Sequence, residues 1–518
     1  NDFGIKFDSL PPEIKYPMKD PNTLDDNERE AQASNLDSES SASTEASEGR
    51  QEVQVVPLRE KILVGMGGMT MFHGNTTVKA TAMPFFNMIL GVNPALLGLA
   101  LAIPRIWDAL TDPIMGSISD RFHSKLGRRR PFIILGSILM GFSFGMIWMV
   151  PTTWSEGGIM AWFLIGSLIF YTCFTVFSVP FTSLTYELTP NYNERTTVMG
   201  HVTLWTKVSE FTYQGLIPVA GMLVTWGIFG TQVDSIRAVM WGVAILMIML
   251  FGLMPGLFGK ERYYKARVKE ENVHEVAGFW KTVGQTFSNK AFAVLITLTL
   301  LQIIAGFFGS SLDYYLLVYY MFDGDIVVGS LWKWYLSMSY AVCGFIGIPV
   351  MLWFSKRTSK LITLRTVYVL VIINGVIRWF VYNPGLHQFI FFDAIFGSLY
   401  WIAVGTVMQS MMADVCDDDE LKHGDRREGM FAAVFGWVSK AAISASMLIG
   451  GVSLVMVGFD ADLGGNQTES TFLGMRMVMV LGGMIPNAIA LGLLTLYPIT
   501  KARAELTRRA LEERRGTV

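Results

Sequence analysis

From residue 58 onward, apolar stretches alternate with short polar loops along the chain. Each apolar stretch has about 20 to 30 residues, enough for an α-helix to cross a hydrocarbon core of about 30 Å. The pattern predicts an all-α polytopic membrane protein with twelve spanning helices. In chain order, the predicted spans are 60–90, 94–119, 131–151, 158–187, 196–228, 235–259, 289–321, 327–354, 361–382, 386–413, 428–458 and 472–498.

Lysine and arginine are concentrated in alternate loops, after the second, sixth, eighth and tenth predicted spans. These positive charges fall in 128–130, 260–281, 356–360 and 422–427, whereas the intervening loops contain few. Because Lys and Arg are enriched in cytoplasmic loops, these loops and both termini are expected in the cytoplasm. The chain is therefore expected to be a multi-pass protein of the plasma (inner) membrane.

The longest internal loop, 260–288, divides the membrane body into two halves of six helices each, 57–259 and 289–498. Such halves are typical of transporters built from parallel repeats. Residues 1–56 are polar, Ser-rich and acidic, a composition that buries too little apolar surface to fold alone. We therefore expect a disordered cytoplasmic tail at 1–56. A second cytoplasmic tail is expected at 499–518, with a charged, solvated helix at 501–515.

Composition narrows the class of protein further. Apolar residues make up 51% of the chain and charged residues only 16%, as in helical membrane proteins. The net charge of −2 argues against nucleic acid as a partner. The three cysteines are far apart, and the soluble segments contain no nucleophile–base pair, metal motif or phosphate-binding loop. We expect a non-enzyme without a cofactor, in contact with membrane lipid and monomeric.

The stretch from residue 104 to 132 carries the most informative charges. Asp108 and Asp112 are four residues apart in an apolar span, so a helix places them on one face, one turn apart. Carboxylates at membrane depth are costly and normally face a cavity, an ion or a basic partner. The pair is a candidate site for Na⁺ or H⁺. In the structural alternative, Arg105 neutralises Asp108 within a charge network.

Three sequence motifs point to one family. They are Arg105-Ile-Trp-Asp-Ala-Leu-Thr-Asp-Pro, the Gly116…Asp120-Arg121…Gly127-Arg128-Arg129 pattern that follows it, and the stretch from Ala413-Asp414 to Lys440. Together they resemble the major facilitator superfamily, specifically its glycoside–pentoside–hexuronide:cation symporters, the group of the melibiose permease. The resemblance covers 58–497 and implies the major facilitator fold, with twelve helices in two six-helix halves.

The resemblance implies which residues complete the cation site. The permease's cation ligands on its fourth helix fall on Thr175, whose hydroxyl can coordinate a cation, and on Ser178, where the melibiose branch has an acidic residue. Lys440 matches a lysine of the eleventh helix near that site, and a buried ammonium needs a carboxylate such as Asp108 or Asp112. Two carboxylates with hydroxyl groups suit Na⁺, and one of two adjacent carboxylates can instead carry H⁺.

The expected solute site departs from that of the melibiose permease. The permease's sugar-stacking tryptophan and its helix-five arginine fall on Thr182 and Thr203, and no acid occurs in 72–75, where its first helix has one. The polar residues that the chain offers instead are His73, Asn75, Lys79 and Lys207. A cationic cavity is therefore predicted, which suits an anionic solute such as a hexuronate or a sulfonated sugar. Its cations are Lys79, Lys207, Arg378 and Lys440.

Further candidate contacts combine aromatic rings with a carboxylate, the chemistry that binds sugars. They are Trp107, Asp313, Tyr314 and Trp401.

A separate set of charges is expected to form a cytoplasmic gate. In the superfamily, the loop after the second helix holds the cytoplasmic side closed in the outward-open state, which implies this role for Asp120, Arg121, Arg128 and Arg129. The expected opposing partners are Glu187, Arg195, Asp414 and Arg426.

The leading interpretation is a secondary active transporter. It couples Na⁺ or H⁺ to symport of a sugar, glycoside or sugar acid by alternating access between the two halves. One alternative changes the solute to a lysolipid or another organic molecule, as in a eukaryotic relative that keeps the helix-two aspartates. An alternative from another class is a non-transporting membrane sensor or enzyme, which solute-driven ion flux would exclude.

Overall fold

The computed structural model describes residues 55–189, 192–261, 289–423 and 428–515, and every regular element among them is helical. Within these ranges, twelve long helical segments and one C-terminal helix follow one another. Their bounds are α1 58–89, α2 Pro94–Arg121, α3 Arg130–Ile147, α4 Glu156–Glu187, α5 192–225, α6 Gln232–Phe258, α7 Lys290–Met321, α8 Ile326–Arg357, α9 Lys360–Val381, α10 His387–His423, α11 Glu428–Met456, α12 Glu469–Leu496 and α13 Lys501–Arg515.

In the described part of the chain, ten of these segments are long and apolar enough to cross a membrane, namely α2–α4 and α6–α12. The other two, α1 and α5, are more polar and carry Lys79 and Lys207. They are also irregular. Helix α1 is interrupted at Met66 and becomes π-helical over Met83–Ile89, and α5 contains a 3₁₀ turn over Tyr213–Gly215. Polar, irregular helices are tolerated in a membrane where they line a cavity.

The two halves pack against each other on one side of the molecule. We call the side that bears residues 90–93 the outer side, and the side that bears 122–129 the Arg-rich side. At the outer side, a Cβ added to Gly98 of α2 would lie 2.7 Å from the carbonyl oxygen of Met447 in α11. A Cβ at Gly221 of α5 would similarly lie 2.7 Å from Val327 of α8. Small residues allow such close helix contacts, so the outer side is closed.

Helices α10 and α13 differ from the sequence prediction. Helix α10 is helical as far as the description reaches, to His423, beyond the predicted end at 413, because Asp418 and Asp419 are buried and have partners there. Arg503 of α13 donates a hydrogen bond of 2.8 Å to Asp418, and Asn289 donates one of 3.2 Å to Asp419. The charged, solvated helix predicted at 501–515 is present and mostly exposed, but one face of α13 packs on α10 and buries Thr507 and Leu511.

Two predicted segments lie almost entirely outside the described residues. Only 55 and 56 of the tail 1–56, and only 260 and 261 of the loop 260–288, are described. The boundaries of these two segments therefore stay predictions. The boundary of the tail 499–518 stays a prediction as well.

Candidate cation and solute sites

Three helices bring oxygen and nitrogen atoms together at the predicted cation site. Asp108 and Asp112 lie one turn apart on α2, and Asp108 is only 1% exposed. Thr175 of α4 donates a hydrogen bond of 3.0 Å to Asp108 Oδ1. From α11, Lys440 Nζ lies 2.9 Å from Asp108 Oδ2 and 2.5 Å from Asp112 Oδ2. Because α11 belongs to the second half, this cluster joins the two halves.

Arg105 adds a second positive charge to the cluster. Its Nη1 lies 3.6 Å from Asp108 Oδ2, and its guanidinium lies 4.4 Å from the centre of the Tyr171 ring. It also donates a hydrogen bond of 2.7 Å to Asn75 Oδ1 on α1. Two carboxylates and two cations therefore balance in charge. Such balance is what a buried cluster needs in order to remain ionised.

The hydrogen bonding of the cluster is incomplete at one carboxylate oxygen. Asp112 Oδ1 is buried and has no hydrogen-bond partner among the described residues. Two hydroxyl groups at the cluster contact each other, with Thr111 Oγ1 at 3.2 Å from Thr175 Oγ1. Ser178, one turn further along α4, is buried as well. Within the described residues no three His, Cys, Asp or Glu side chains converge as metal ligands, so only two carboxylates face a cation here.

A cavity of about 680 Å³ lies between the two halves. This volume is typical of sites for small organic molecules. Helices α1, α2 and α5 line it from the first half, and α7–α12 line it from the second. The predicted solute residues that line it are Lys79, Lys207, Asp313, Tyr314 and Trp401.

Most cations of this cavity are paired with carboxylates. Lys207 Nζ lies 2.8 Å from Glu210, and Lys333 Nζ lies 2.6 Å from Asp313. Arg378 lines the cavity with its guanidinium 2.7 Å from Asp393. Of the four cations predicted to form a cationic cavity, Lys79, Lys207 and Arg378 line it, whereas Lys440 is not among its lining residues. Lys207, Arg378 and Lys440 all lie in ion pairs.

Lys79 is different from the other cavity cations. Its Nζ donates a hydrogen bond of 3.2 Å to Asn75 Oδ1 and lies 5.7 Å from the centre of the Phe307 ring. Among the described carboxylates, none lies within 4.0 Å of it. Lys79 is thus the cavity cation best able to accept a new anion.

A buried polar cluster lies in the second half, and sequence reasoning missed two of its members, Asn374 and Tyr382. Asp393 is fully buried and accepts hydrogen bonds from Arg378, Asn374 and Tyr382. Lys333, which pairs with Asp313, was missed too. Its position within an apolar span is a signal that could have found it, because an ionisable residue at membrane depth marks a functional candidate.

Two predicted solute residues do not line the cavity. His73 is 0% exposed in the core of the first half, where its Nδ1 lies 2.8 Å from Thr77 Oγ1. Trp107 is 44% exposed, and its Nε1 donates a hydrogen bond of 2.9 Å to Thr172 of α4. Both residues lie on faces of their helices that point away from the cavity, so neither is retained as a solute contact.

Three further predicted residues also lie outside the cavity lining. Asn75 bonds to Arg105 and Lys79 and so connects the cation site to the cavity edge. Thr182 is half-buried on α4, and Thr203 donates its hydroxyl to the carbonyl of Met199 on its own helix. A match by sequence position alone does not reproduce helix rotation, which explains these three differences.

Among the described residues, the ion pairs found on the Arg-rich side lie within each half. Glu187 of α4 lies 3.0 Å from Arg128 Nη2 and 2.9 Å from Arg129 Nη2. Arg129 also lies 3.0 Å from Asp120. Burial lowers the pKa of the Arg129 guanidinium from its ordinary value, while the carboxylates of Glu187 and Asp120 act in the opposite direction.

The other described gate residues have different contacts or are exposed. Asp414 lies 2.6 Å from Lys360 of α9, so it pairs within the second half and not with Arg128 or Arg129. Arg195 Nη2 lies 3.5 Å from the carbonyl of Thr189, and Arg121 is exposed. Arg426 lies outside the described residues.

Glu261, just beyond the end of α6, was not predicted to have a role. Its carboxylate accepts hydrogen bonds from the backbone amides of Arg128, Arg129 and Arg130, at 2.9, 2.9 and 3.2 Å. It therefore holds the loop that presents the arginines at the start of α3. No local motif announces such a contact, because it joins residues more than 130 positions apart.

The fold and these sites agree with the comparison to known families. The family described as MFS/sugar transport protein matches residues 63–501, so the chain belongs to this family of the major facilitator superfamily. It is accordingly a secondary transporter of the symporter kind and a multi-pass protein of the plasma membrane. The predictions of superfamily, fold class and location are thereby confirmed.

Three relatives of this chain are each described as a symporter. The chain is 25% identical to an uncharacterised symporter of Synechocystis, with 83% of this chain and 92% of that protein covered. It is 24% identical to the sodium-dependent lysophosphatidylcholine symporter 1 of Xenopus tropicalis, with coverage of 90% and 92%. It is 23% identical to the inner membrane symporter YicJ of Escherichia coli, with coverage of 79% and 85%.

Solved structures of other transporters share the fold. An inward-facing, unoccupied bacterial homologue of the lysosomal transporter Spinster has a TM-score of 0.62 at 15% identity, with 85% of this chain and 98% of that one covered. The nucleoside transporter NupG has a TM-score of 0.56 at 12% identity, with coverage of 86% and 99%. At such identities the likeness extends to the fold alone.

Proposed function

We propose that this protein is a Na⁺-coupled symporter of a sugar acid, with Na⁺ held by Asp108, Asp112 and Thr175. The observation that supports it most is the meeting of both carboxylates with the Thr175 hydroxyl and Lys440 at one point between α2, α4 and α11. Carboxylate and hydroxyl oxygens are the ligands that a hard cation prefers. The buried, unpaired Asp112 Oδ1 is a ligand that the protein itself leaves unused.

Lys440 occupies the place where a bound cation is expected. Its ammonium contacts both carboxylates, so Na⁺ has to displace it from at least one of them. Charge balance requires the same, because the cluster is already neutral with Arg105 and Lys440 in place. Na⁺ in place of H⁺ is further supported by relatives that are described as sodium-dependent symporters.

The cavity supports an anionic, hydroxyl-rich solute. Lys79 offers an ammonium with no carboxylate beside it, as described above. Tyr314 and Trp401 present aromatic surfaces, and Ser337 and Asn374 present hydrogen-bonding groups. A sugar acid satisfies these features together, through its carboxylate on Lys79, its ring faces on the aromatic residues and its hydroxyls on the polar side chains.

A lysolipid is the second candidate solute, and two observations favour it. The cavity is long enough to reach six helices of the second half, where glycine and apolar side chains such as Phe345, Ile348 and Ile402 line it. The Xenopus relative is described as a lysophosphatidylcholine symporter. An acyl chain in the apolar part would leave a charged headgroup near Lys79.

The test of coupling uses purified protein in sealed liposomes under separately imposed Na⁺ and H⁺ gradients. We expect solute accumulation with the Na⁺ gradient, and its loss in Asp112→Asn, which keeps the shape of the side chain and removes the charge. Asp234→Asn is the matched control, because Asp234 is an exposed acid paired with Arg237 at the end of the molecule. Accumulation driven only by H⁺ would replace Na⁺ in the proposal. Equilibration without a gradient, with Asp112→Asn silent, would refute coupling at this site.

The test of the solute compares a hexuronate, the matching neutral hexose and a lysophosphatidylcholine in the same liposomes. We expect the hexuronate to accumulate and Lys79→Gln to weaken its uptake at least tenfold, the effect of about 1.4 kcal/mol of lost charge interaction. Preferential uptake of the lysolipid would establish the second candidate. Uptake of hexuronate and hexose to the same extent would refute the role of Lys79.

A further inference from the structure

One buried hydrogen bond connects the first helix of the first half to the first helix of the second half. Tyr315 of α7 donates its hydroxyl to Asn87 Oδ1 of α1 at 2.6 Å. Both residues are only 1% exposed. The same carboxamide donates a hydrogen bond of 2.7 Å to the carbonyl of Val92, which fixes its orientation. The bond is therefore ordered from both sides and shielded from water.

This hydrogen bond lies near the outer side. Asn87 lies two residues before the end of α1, beside the loop at 90–93. Tyr315 lies six residues before the outer end of α7 and also lines the central cavity. The bond therefore lies at the outer end of the cavity, between the two halves. Separation of the halves at this side has to break it.

Both partners lie at irregular turns of their helices. Asn87 is within the π-helical segment Met83–Ile89, and Tyr315 directly precedes the π-helical segment Leu316–Met321. Isolated π-helical turns inside α-helices are frequent at functional sites. Tyr319 and Phe459 support the Tyr315 ring from behind, with ring centres at 6.1 and 5.0 Å. The ring is held in place, so its hydroxyl is directed at α1.

We infer that the Tyr315–Asn87 hydrogen bond is a latch that holds the outer side of the transporter closed, which makes both residues positioning residues of the transport cycle. The latch acts together with the close contact of α2 and α11. There Gly451 lies against the backbone of Pro94. The hydrogen bond favours the closed arrangement, because its two groups cannot both find partners in the cavity wall once the halves separate.

The chain contains a matched control for this inference. Tyr319 is one turn away on the same helix and in the same aromatic stack, but its buried hydroxyl has no hydrogen-bond partner among the described residues. Tyr315→Phe and Tyr319→Phe therefore remove the same atom from neighbouring rings. Only the first change removes a contact between the halves.

The experiment measures outer opening without any solute. The three native cysteines are replaced by serine, Ala341→Cys on the cavity wall serves as reporter, and a membrane-impermeant maleimide is added to intact cells. We expect Tyr315→Phe to raise the labelling rate about two- to tenfold, the range for one lost neutral hydrogen bond. Tyr319→Phe should label at the parent rate. Thermal unfolding of each purified variant reports whether it is folded.

Two further variants test the same hydrogen bond and the same opening by separate routes. Asn87→Leu removes the same bond from the other side, and the double variant with Tyr315→Phe should label less than the product of the two single effects. Gly451→Ala inserts a methyl group against α2 and so reports on outer opening by an independent route. If Gly451→Ala raises labelling while Tyr315→Phe remains at the parent rate, the bond is not a latch. Equal increases in Tyr315→Phe and Tyr319→Phe would also overturn the inference.

Discussion

Replacing Glu261 with alanine should release the loop that carries Arg128 and Arg129. The carboxylate accepts the three backbone amides at the start of α3, and helix α3 has no side-chain cap of its own. Backbone amides at a helix start lack partners within the helix, and a negative charge there is favourable because of the helix dipole. Glu261 therefore acts as a cap that comes from the segment after α6.

The size of the effect follows from these two contributions. Loss of a side-chain cap costs about 0.5–2 kcal/mol. Loss of the charge at the helix end costs about 0.3–1 kcal/mol more. Because water can reach the partly buried amides of Glu261→Ala and replace some of the lost bonds, we expect a total of about 1–3 kcal/mol. If the loop opens locally, this range corresponds to an increase of about 5- to 150-fold in the population of the open loop.

Hydrogen exchange measured by mass spectrometry checks this prediction directly. The peptide that contains residues 128–130 should exchange fastest in Glu261→Ala. It should exchange at an intermediate rate in Glu261→Gln, which keeps an acceptor oxygen and loses the charge. Glu156→Ala is the control, because Glu156 accepts a single amide, that of Asn93, on the outer side. Unchanged exchange at 128–130 in Glu261→Ala would refute the capping role.

Two further predictions concern buried ion pairs. Asp393→Ala removes the acceptor for Arg378 and leaves a buried charge unpaired, so it should destabilise the protein by about 3–5 kcal/mol, and Asp393→Asn by less. Thermal unfolding in detergent measures both, and equal melting temperatures for wild type and Asp393→Ala would contradict the prediction. Arg503→Ala should lower the free energy of unfolding by up to about 1 kcal/mol, since the Arg503 side chain is partly exposed. It should also speed hydrogen exchange across α13. Arg509→Ala is its exposed control, and equal exchange in the two variants would show that the Arg503–Asp418 pair does not hold α13.

The spans were predictable because membrane helices carry a strong one-dimensional signal. The predicted spans 94–119 and 158–187 differ by two residues from the helices Pro94–Arg121 and Glu156–Glu187. The prediction was wrong where charge occurs inside a helix, since Asp418 and Asp419 resemble loop residues in sequence. Their burial depends on Arg503 and Asn289, which lie far away in the chain. A distant partner cannot be read from local composition.

In the candidate sites too, contacts that follow from simple chemistry were predicted, whereas contacts that depend on helix packing were not. The contact of Lys440 with Asp108 and Asp112 was expected from simple physical chemistry, because a buried ammonium needs a carboxylate. The pair of Asp313 with Lys333 was not expected, since the two residues lie on neighbouring helices whose rotation the sequence does not reveal. His73 was assigned to the cavity for the same reason, although it faces the core. The transport role of each of these residues stays a prediction.

The position of Lys440 has a consequence for coupling under the proposed function. Its two carboxylate partners are on α2 in the first half, while Lys440 is on α11 in the second. Three residues earlier on α11, Trp437 Nε1 donates a hydrogen bond of 3.2 Å to the carbonyl of Ala109 on α2. A Na⁺ ion that displaces Lys440 therefore breaks an ion pair between the halves as it binds.

The free energy of cation binding is then linked to the arrangement of the halves. In the outer-closed structure Lys440 is engaged, so Na⁺ has to compete with it. In any arrangement that withdraws α11 from α2, the carboxylates are free and Na⁺ binds more tightly. Linkage requires the reverse as well, so bound Na⁺ favours that arrangement. Lys440→Gln should abolish this competition, and the dependence of outer labelling of the Ala341→Cys reporter on Na⁺ concentration should then disappear. Labelling that responds to Na⁺ equally in Lys440→Gln and in the parent would show that coupling uses another route.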